Sequence, residues 1–215
     1  MASLADRLKS FTGIQDIDGI ESLVTTWFDS AAKDVINVLP PQVLYITGES
    51  EFLVSPEFGG PSDTSTSVPQ SRILSVTRKK STDDVAHECR AIDAVKKGYA
   101  NFNDYMYSAT NESPVFYREN NKIFVLPKLI DTYNSSNGIV EIVYVKYPNV
   151  NITESFISKF PDEIENLVVL KASVYGKFYQ IGLANAEEDL EVAASHTNHM
   201  SALNQEYTMC LQNYL

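Results

Sequence analysis

The chain has 215 residues, which suits one main domain with an appendage, and its 44% apolar and 21% charged residues are typical of a folded protein. Lys and Arg total 17 against 28 Asp and Glu, so the net charge is −11. This charge repels phosphate backbones and excludes tight wrapping of nucleic acid, although DNA can slide past an acidic surface without sticking.

Residues 1–42 are predicted to form an N-terminal helical part. Apolar side chains recur there at spacings of three and four, which predicts an amphipathic helix from Gly19 to Val38. The helix ends before Pro40-Pro41, because a proline ring removes a backbone donor and restricts the preceding residue. A shorter amphipathic piece, Leu4 to Phe11, precedes this helix.

Residues 43–150 are predicted to form a β-rich domain. Short runs of Val, Ile, Tyr and Phe alternate there with Gly, Pro, Asn and Ser. The predicted strands are Val43 to Thr47, Ile73 to Arg78, Ala86 to Asp93, Val115 to Arg118, Lys122 to Leu126 and Ile139 to Lys146. A Ser/Thr/Gly-rich stretch near 58–70 predicts a loop that is either mobile or ordered by a partner.

Two segments follow with different helical patterns. In residues 151–183 a proline and two acids begin a run of bulky apolar residues at helical spacing, which predicts the C-terminal helix of the body. In residues 184–215 helix propensity stays high while the apolar stripe thins, which predicts a protruding helix and docking tail. The predicted fold is α+β, with two long helices, N-terminal and C-terminal, packed together, a β-rich domain inserted between them in the sequence, and a protruding C-terminal helical tail.

The histidines and cysteines that could bind a metal or catalyse a reaction lack the further residues that such sites need. His196 and His199 stand three apart on a predicted helix, but zinc needs at least a third ligand. His87 and Cys89 share a strand face without a group to orient the imidazole. The two cysteines, Cys89 and Cys210, cannot build a disulfide framework, so a reducing compartment is expected.

Motifs for catalysis are also missing from the sequence. It contains no glycine pattern for phosphates or dinucleotides and no nucleophile elbow. No catalytic residue, cofactor or metal is predicted, and the chain is not expected to be an enzyme. No run of about 18 uncharged apolar residues occurs either, so no membrane contact is expected.

Basic residues concentrate at Arg78, Lys79 and Lys80, with Lys96 and Lys97 following. Nearby aromatic residues would suit a nucleic-acid surface. The negative net charge of the chain favours a different interpretation, in which the basic residues form a solvated hairpin tip and the aromatic residues pair across strands. A further alternative is a cationic patch that meets an acidic neighbour in a ring. Arg78, Lys79 and Lys80 are therefore candidate inter-subunit or tail contacts.

Three motifs in a particular order carry a resemblance. They are SPVFYRENNKIFVLP from Ser113 to Pro127, VYVKYP from Val143 to Pro148, and FPDEIENLVVLKA from Phe160 to Ala172. In this order and spacing they resemble the head-to-tail adaptors in the neck of tailed bacteriophages. The likeness spans Ser71 to about Leu183, and the insertion around Asp63 departs from the family pattern.

The resemblance implies a structural virion protein that forms a homo-oligomeric ring, usually of twelve copies, under the portal protein. Such a ring joins the capsid to a tail or nozzle protein and lets genomic DNA pass without specific binding. The resemblance also implies that the protein is made in the bacterial host cytoplasm and resides in the virion neck. A C-terminal segment reaches into the portal, which makes Tyr207, Leu211, Tyr214 and Leu215 the predicted portal-docking residues.

Three alternatives remain open at this point. The chain is compatible with another neck or tail ring, such as a stopper or a tail terminator. It is also compatible with a glycan-binding module that uses the tyrosine-rich segment from Tyr99 to Tyr117. An unrecognised hydrolase would require a cleft with a strongly perturbed carboxylate or histidine.

Overall fold

The computed structural model describes residues 2–45, 49–54, 66–67, 71–79, 85–101, 108–120, 122–127, 139–158, 160 and 162–215. These residues form five α-helices, two short 3₁₀ helices and two four-stranded sheets, which confirms the α+β class. The chain divides into two compact units. A helical unit comprises Met1–Thr47 and Tyr147–Leu215, and a β unit comprises Gly48–Lys146.

The helical unit begins with α1 (Leu4–Thr12), α2 (Glu21–Val38) and the single turn α3 (Pro41–Leu44). At the start of α1 the Ser3 hydroxyl accepts a hydrogen bond from the Asp6 amide, and the Asp6 carboxylate accepts from Ser3 in return. The bonds from Ser3 lower the pKa of Asp6. The strand predicted from Val43 to Thr47 is wrong at Val43 to Tyr45, because Pro41 starts a helical turn there, and residues 46–47 lie outside the described residues.

The C-terminal part of the helical unit is a pair of helices, α4 (Asp162–Ala186) and α5 (Leu190–Gln212). The Asp189 amide donates to the Ala184 carbonyl at 2.9 Å and closes α4, while Glu188 adopts a left-handed φ of 59°. The Asp189 side chain then caps α5 by accepting from the Val192 amide. This short turn reverses the chain, so α5 runs back along α4.

The packing of α5 differs from the predicted protruding helix of residues 184–215. Its inward face repeats at spacings of three and four residues, and this face packs on α4, which itself continues to Ala186. The members of this face are Ala193, His196, Met200, Leu203, Tyr207, Cys210 and Leu211, all buried or half-buried. Because alanine, histidine, cysteine and tyrosine fill several positions, the sequence shows only a thin apolar stripe.

The core of the helical unit lies where α4 meets α1 and α2. On α2 the buried side chains are Val24, Trp27, Phe28, Ala31, Ala32, Val35 and Ile36. On α4 they include Ile164, Leu167, Val168, Val169, Leu170 and Ala172. Within the described part of the chain, no helix combines the length and apolar character that crossing a bilayer requires.

A buried carboxylate links α1 and α4. Glu165 forms an ion pair with Arg7, and its second oxygen accepts from the Ile157 amide at 2.8 Å. Glu165→Ala is expected to lower the free energy of unfolding by about 2–3 kcal/mol, because both donors lose a charged acceptor. Urea unfolding followed by circular dichroism measures this loss. Exposed Glu206→Ala is the control, and a loss as small as the control's would contradict the prediction.

The β unit contains eight described strands in two sheets of order β1-β8-β3-β4 and β2-β7-β6-β5. The strands are β1 (Glu49–Val54), β2 (Thr66–Ser67), β3 (Ser71–Lys79), β4 (His87–Glu88), β5 (Arg90–Ala91), β6 (Val115–Glu119), β7 (Lys122–Leu126) and β8 (Ile139–Lys146). All described pairings are antiparallel except β5 with β6. The loop predicted near 58–70 lies outside the described residues except for β2.

The strand predicted from Ala86 to Asp93 is two short strands in different sheets. The Cys89 amide donates to the Val76 carbonyl in one sheet, and the next amide, from Arg90, donates to the Pro114 carbonyl in the other. The chain therefore changes sheets at Cys89. One hydrophobic core cluster of the β unit comprises Val76, Cys89, Ile123, Val125, Val140, Ile142 and Tyr144.

Candidate docking surface

The predicted portal-docking residues lie in different environments. Tyr207 and Leu211 are only 7% and 9% exposed, because both belong to the α5 face that packs on α4. Tyr214 is half-buried and Leu215 is exposed. The expectation of a free docking tail is therefore corrected for Tyr207 and Leu211, which contribute to the fold of the helical unit.

Polar contacts hold Tyr207 and its neighbours in place. The Lys171 ammonium lies 5.2 Å from the ring centroid of Tyr207 and 5.6 Å from that of Tyr175. The Tyr175 hydroxyl donates to Asp34 of α2 at 2.5 Å. Burial, together with this bond to Asp34, raises the pKa of Tyr175. These contacts connect α2, α4 and α5 and position the aromatic side chains between them.

The predicted basic contacts do not all lie on the surface. Arg78 is only 3% exposed and donates to the Asn111 side chain at 3.0 Å, and burial lowers its pKa. Lys79 is half-buried, and Lys80 lies outside the described residues. Arg78 shares the strand face of buried Val76, so it points into the β unit. It is corrected from a candidate contact to an interior residue.

The candidate histidine and cysteine sites offer little chemistry. His196 Nδ1 lies 3.4 Å from the ammonium of buried Lys177, and burial and Lys177 lower the pKa of His196. Burial raises the pKa of Cys89 to about 12, which keeps it a thiol and a poor nucleophile. Across the described ranges, no three His, Cys, Asp or Glu side chains converge to hold a metal ion.

The tyrosine-rich segment considered for glycan binding is described only in part. Residues 102–107 lie outside the described residues. Tyr117 is buried and stacks on Phe124, with ring centroids 4.9 Å apart and planes at 6°. The ring face of Tyr117 therefore packs inside the β unit and does not offer a stacking surface to a glycan.

An open groove with a volume of about 650 Å³ lies between α2 and α4 of the helical unit. The groove is lined by Leu23, Trp27, Ser30, Tyr175, Phe178, Tyr179, Gly182 and Leu183. Trp27 and Tyr179 contact each other with ring centroids 5.6 Å apart. None of these eight residues is acidic, basic, histidine or cysteine, so the groove is suited to apolar burial and aromatic contact.

Large apolar side chains of this groove are exposed. Phe178 is 69% exposed and Leu183 is 48% exposed, although both lie on the helix that forms the core of the unit. A contiguous apolar patch on a folded protein commonly marks a site of contact with another molecule. We call the groove with these two side chains the docking surface.

Two glycines of α4 have opposite surroundings. A Cβ on Gly176 would meet Thr12 at 3.0 Å and Trp27 at 3.4 Å, so the glycine permits close helix packing. A Cβ on Gly182 would meet no described atom within 4 Å. Glycine inside a helix is about 0.5–1 kcal/mol less favourable than alanine. Packing within the described residues gives no reason for Gly182, which is exposed and lines the groove; we call this open stretch of backbone the floor of the groove.

The sequence beside the docking surface is acidic. No Lys or Arg follows Lys177, whereas Glu187, Glu188 and Asp189 occupy the turn between α4 and α5, and Glu191 lies in the first turn of α5. Glu187 is one helical turn after Leu183, and its amide donates to the Leu183 carbonyl at 3.0 Å. An apolar groove therefore ends in a cluster of exposed carboxylates.

No protein-family model matches this chain, and no curated protein matches it. The docking surface was not predicted from the sequence, because its aromatic residues recur at the spacing of a core-facing helix.

Proposed function

We propose that the protein is a structural virion protein, a head-to-tail adaptor that forms a ring under the portal, joins the capsid to the tail and lets DNA pass. The observation that carries the proposal is the docking surface, where Phe178 and Leu183 expose apolar area beside Trp27. A large apolar groove without acidic, basic, histidine or cysteine lining residues suits protein contact better than catalysis. The ordered motifs from Ser113 to Ala172 support the adaptor class.

In this proposal the helical unit binds the portal through the docking surface, and the β unit faces a neighbouring virion protein. The role first given to Tyr207 and Leu211 passes to Trp27, Phe178 and Leu183, because the former pack on α4. Aromatic and bulky apolar residues in such grooves commonly dominate binding energy. The net charge of −11 supports passage of DNA without adhesion.

Electron microscopy of the purified chain, with and without the portal protein of the same virus, tests the adaptor function. We expect a ring of subunits seated on the portal, usually twelve, with an open centre. A chain that never associates with portal under conditions where portal rings are intact would contradict the proposal. Density elsewhere in the particle neck or tail would assign the chain to a stopper or tail terminator instead.

A further inference from the structure

We infer that the docking surface binds an amphipathic, positively charged segment of a partner protein, whose apolar side chains enter the groove while its Lys or Arg residues meet the carboxylates after Leu183. This inference rests on the proposed function in taking the groove as the site of partner contact. It adds the chemistry of the partner. Three features of the helical unit carry it.

The first feature is the shape and lining of the groove. Two helices form its walls, and an amphipathic helix commonly binds such a groove through apolar residues on one face. Exposed Phe178 and Leu183 offer area that only an occupant can bury. Trp27 is buried at the base, and its ring is held by Tyr179.

The second feature is Gly182. No described atom lies within 4 Å of the position of a Cβ there, so the chain itself does not use the space. Glycine lets another chain approach the helix backbone closely. The bare floor at Gly182 therefore provides room for a bulky side chain of the occupant.

The third feature is charge. Glu187, Glu188, Asp189 and Glu191 follow the groove, and no Lys or Arg occurs after Lys177, which is itself buried. Complementary charge gives an interface its specificity, so these carboxylates favour a cationic segment and disfavour acidic segments and nucleic acid.

Helix α2, which forms one wall of the groove, also has a negative net charge. Glu21, Asp29 and Asp34 outnumber the single cation of α2, Lys33. A second copy of the chain is a poorer occupant, because a two-fold contact through this surface would place like charges together. The carboxylates after Leu183 therefore favour binding of a basic partner over self-association.

Trp27 makes the inference testable, because it is the only tryptophan of the chain and lines the groove. Its fluorescence is recorded while the full chain is titrated with a synthetic Leu/Lys amphipathic peptide of about 18 residues, long enough to form a helix. Two control peptides carry the same leucine stripe with Glu in place of Lys, and a scrambled Leu/Lys order. We expect saturable binding of the first peptide, at least about tenfold tighter than either control and weakened by salt.

Variants connect the signal to the docking surface. The combined change Glu187→Gln, Glu188→Gln, Asp189→Asn and Glu191→Gln is expected to remove most of the preference for Lys over Glu. Asn at 189 keeps the cap of α5. Gly182→Leu is expected to abolish binding by filling the floor of the groove. Glu206→Gln, which removes a carboxylate from the exposed face of α5, is the matched control.

Several outcomes would overturn the inference. Equal affinity for the Lys and Glu peptides would remove the charge requirement, and binding unaffected by Gly182→Leu would place the peptide elsewhere. Dimers in sedimentation velocity that Phe178→Asp disrupts would identify a second copy as the occupant. Failure of every peptide, with portal docking intact, contradicts this inference alone. Peptide binding without portal association contradicts the adaptor function alone.

Discussion

Deletion of residues 201–215 is expected to lower the free energy of unfolding of the helical unit by about 4 kcal/mol or more. The deletion removes the buried side chains of Leu203, Tyr207 and Leu211 and exposes the face of α4 that they cover. Each such burial contributes about 1.5–3 kcal/mol. Urea unfolding followed by circular dichroism measures the change, and limited proteolysis reports whether α4 becomes accessible.

Deletion of residues 213–215 alone is the matched control, because it leaves the whole of α5 in place. This shorter deletion is expected to cost about 1 kcal/mol or less. If the long deletion were as harmless as the short one, α5 would not contribute to the fold. The protruding tail predicted from the sequence would then be the better description.

The same substitution at two glycines of α4 is expected to have opposite effects on stability. Gly176→Leu should lower the free energy of unfolding by about 3 kcal/mol, because the new side chain collides with Thr12 and Trp27. Gly182→Leu should raise it by about 0.5–1 kcal/mol, because leucine is the better helix former and the space is open. Thermal and urea unfolding of the two variants measure the difference.

The two variants serve as controls for each other, because the substitution and the helix are the same and only the surroundings of the two glycines differ. Gly182→Leu should keep the native fold while blocking the docking surface, which separates stability from binding. A large loss of stability in Gly182→Leu would mean that the groove is occupied by the protein itself. The docking surface would then have no vacant floor.

The long periodic elements could be predicted from sequence because one physical signal dominates each of them. Apolar spacing placed α2 and α4, and alternating β-rich runs placed β3, β6, β7 and β8. Short elements could not be predicted in this way, because they depend on contacts with residues that are distant in the sequence. The turn α3 replaced a predicted strand, and the change of sheet at Cys89 split another.

The site was harder to predict than the fold. Which face of α4 stays open depends on how α1, α2 and α5 pack around it, and periodicity cannot show this. The inward direction of Arg78 could have been predicted, since period two places it on the face of Val76. The packing of α5 was missed because Ala193, His196 and Tyr207 are weak apolar signals.

Association of the chain with portal rings, counted by electron microscopy, tests most directly the claim that the docking surface is the site of partner contact. Phe178→Asp places a charge on an exposed residue of the groove, and Met209→Asp places one on an α5 residue that is 68% exposed and outside the groove. We predict ring density on the portal for the unmodified chain and Met209→Asp, and bare portal for Phe178→Asp. Equal density for all three would contradict the account.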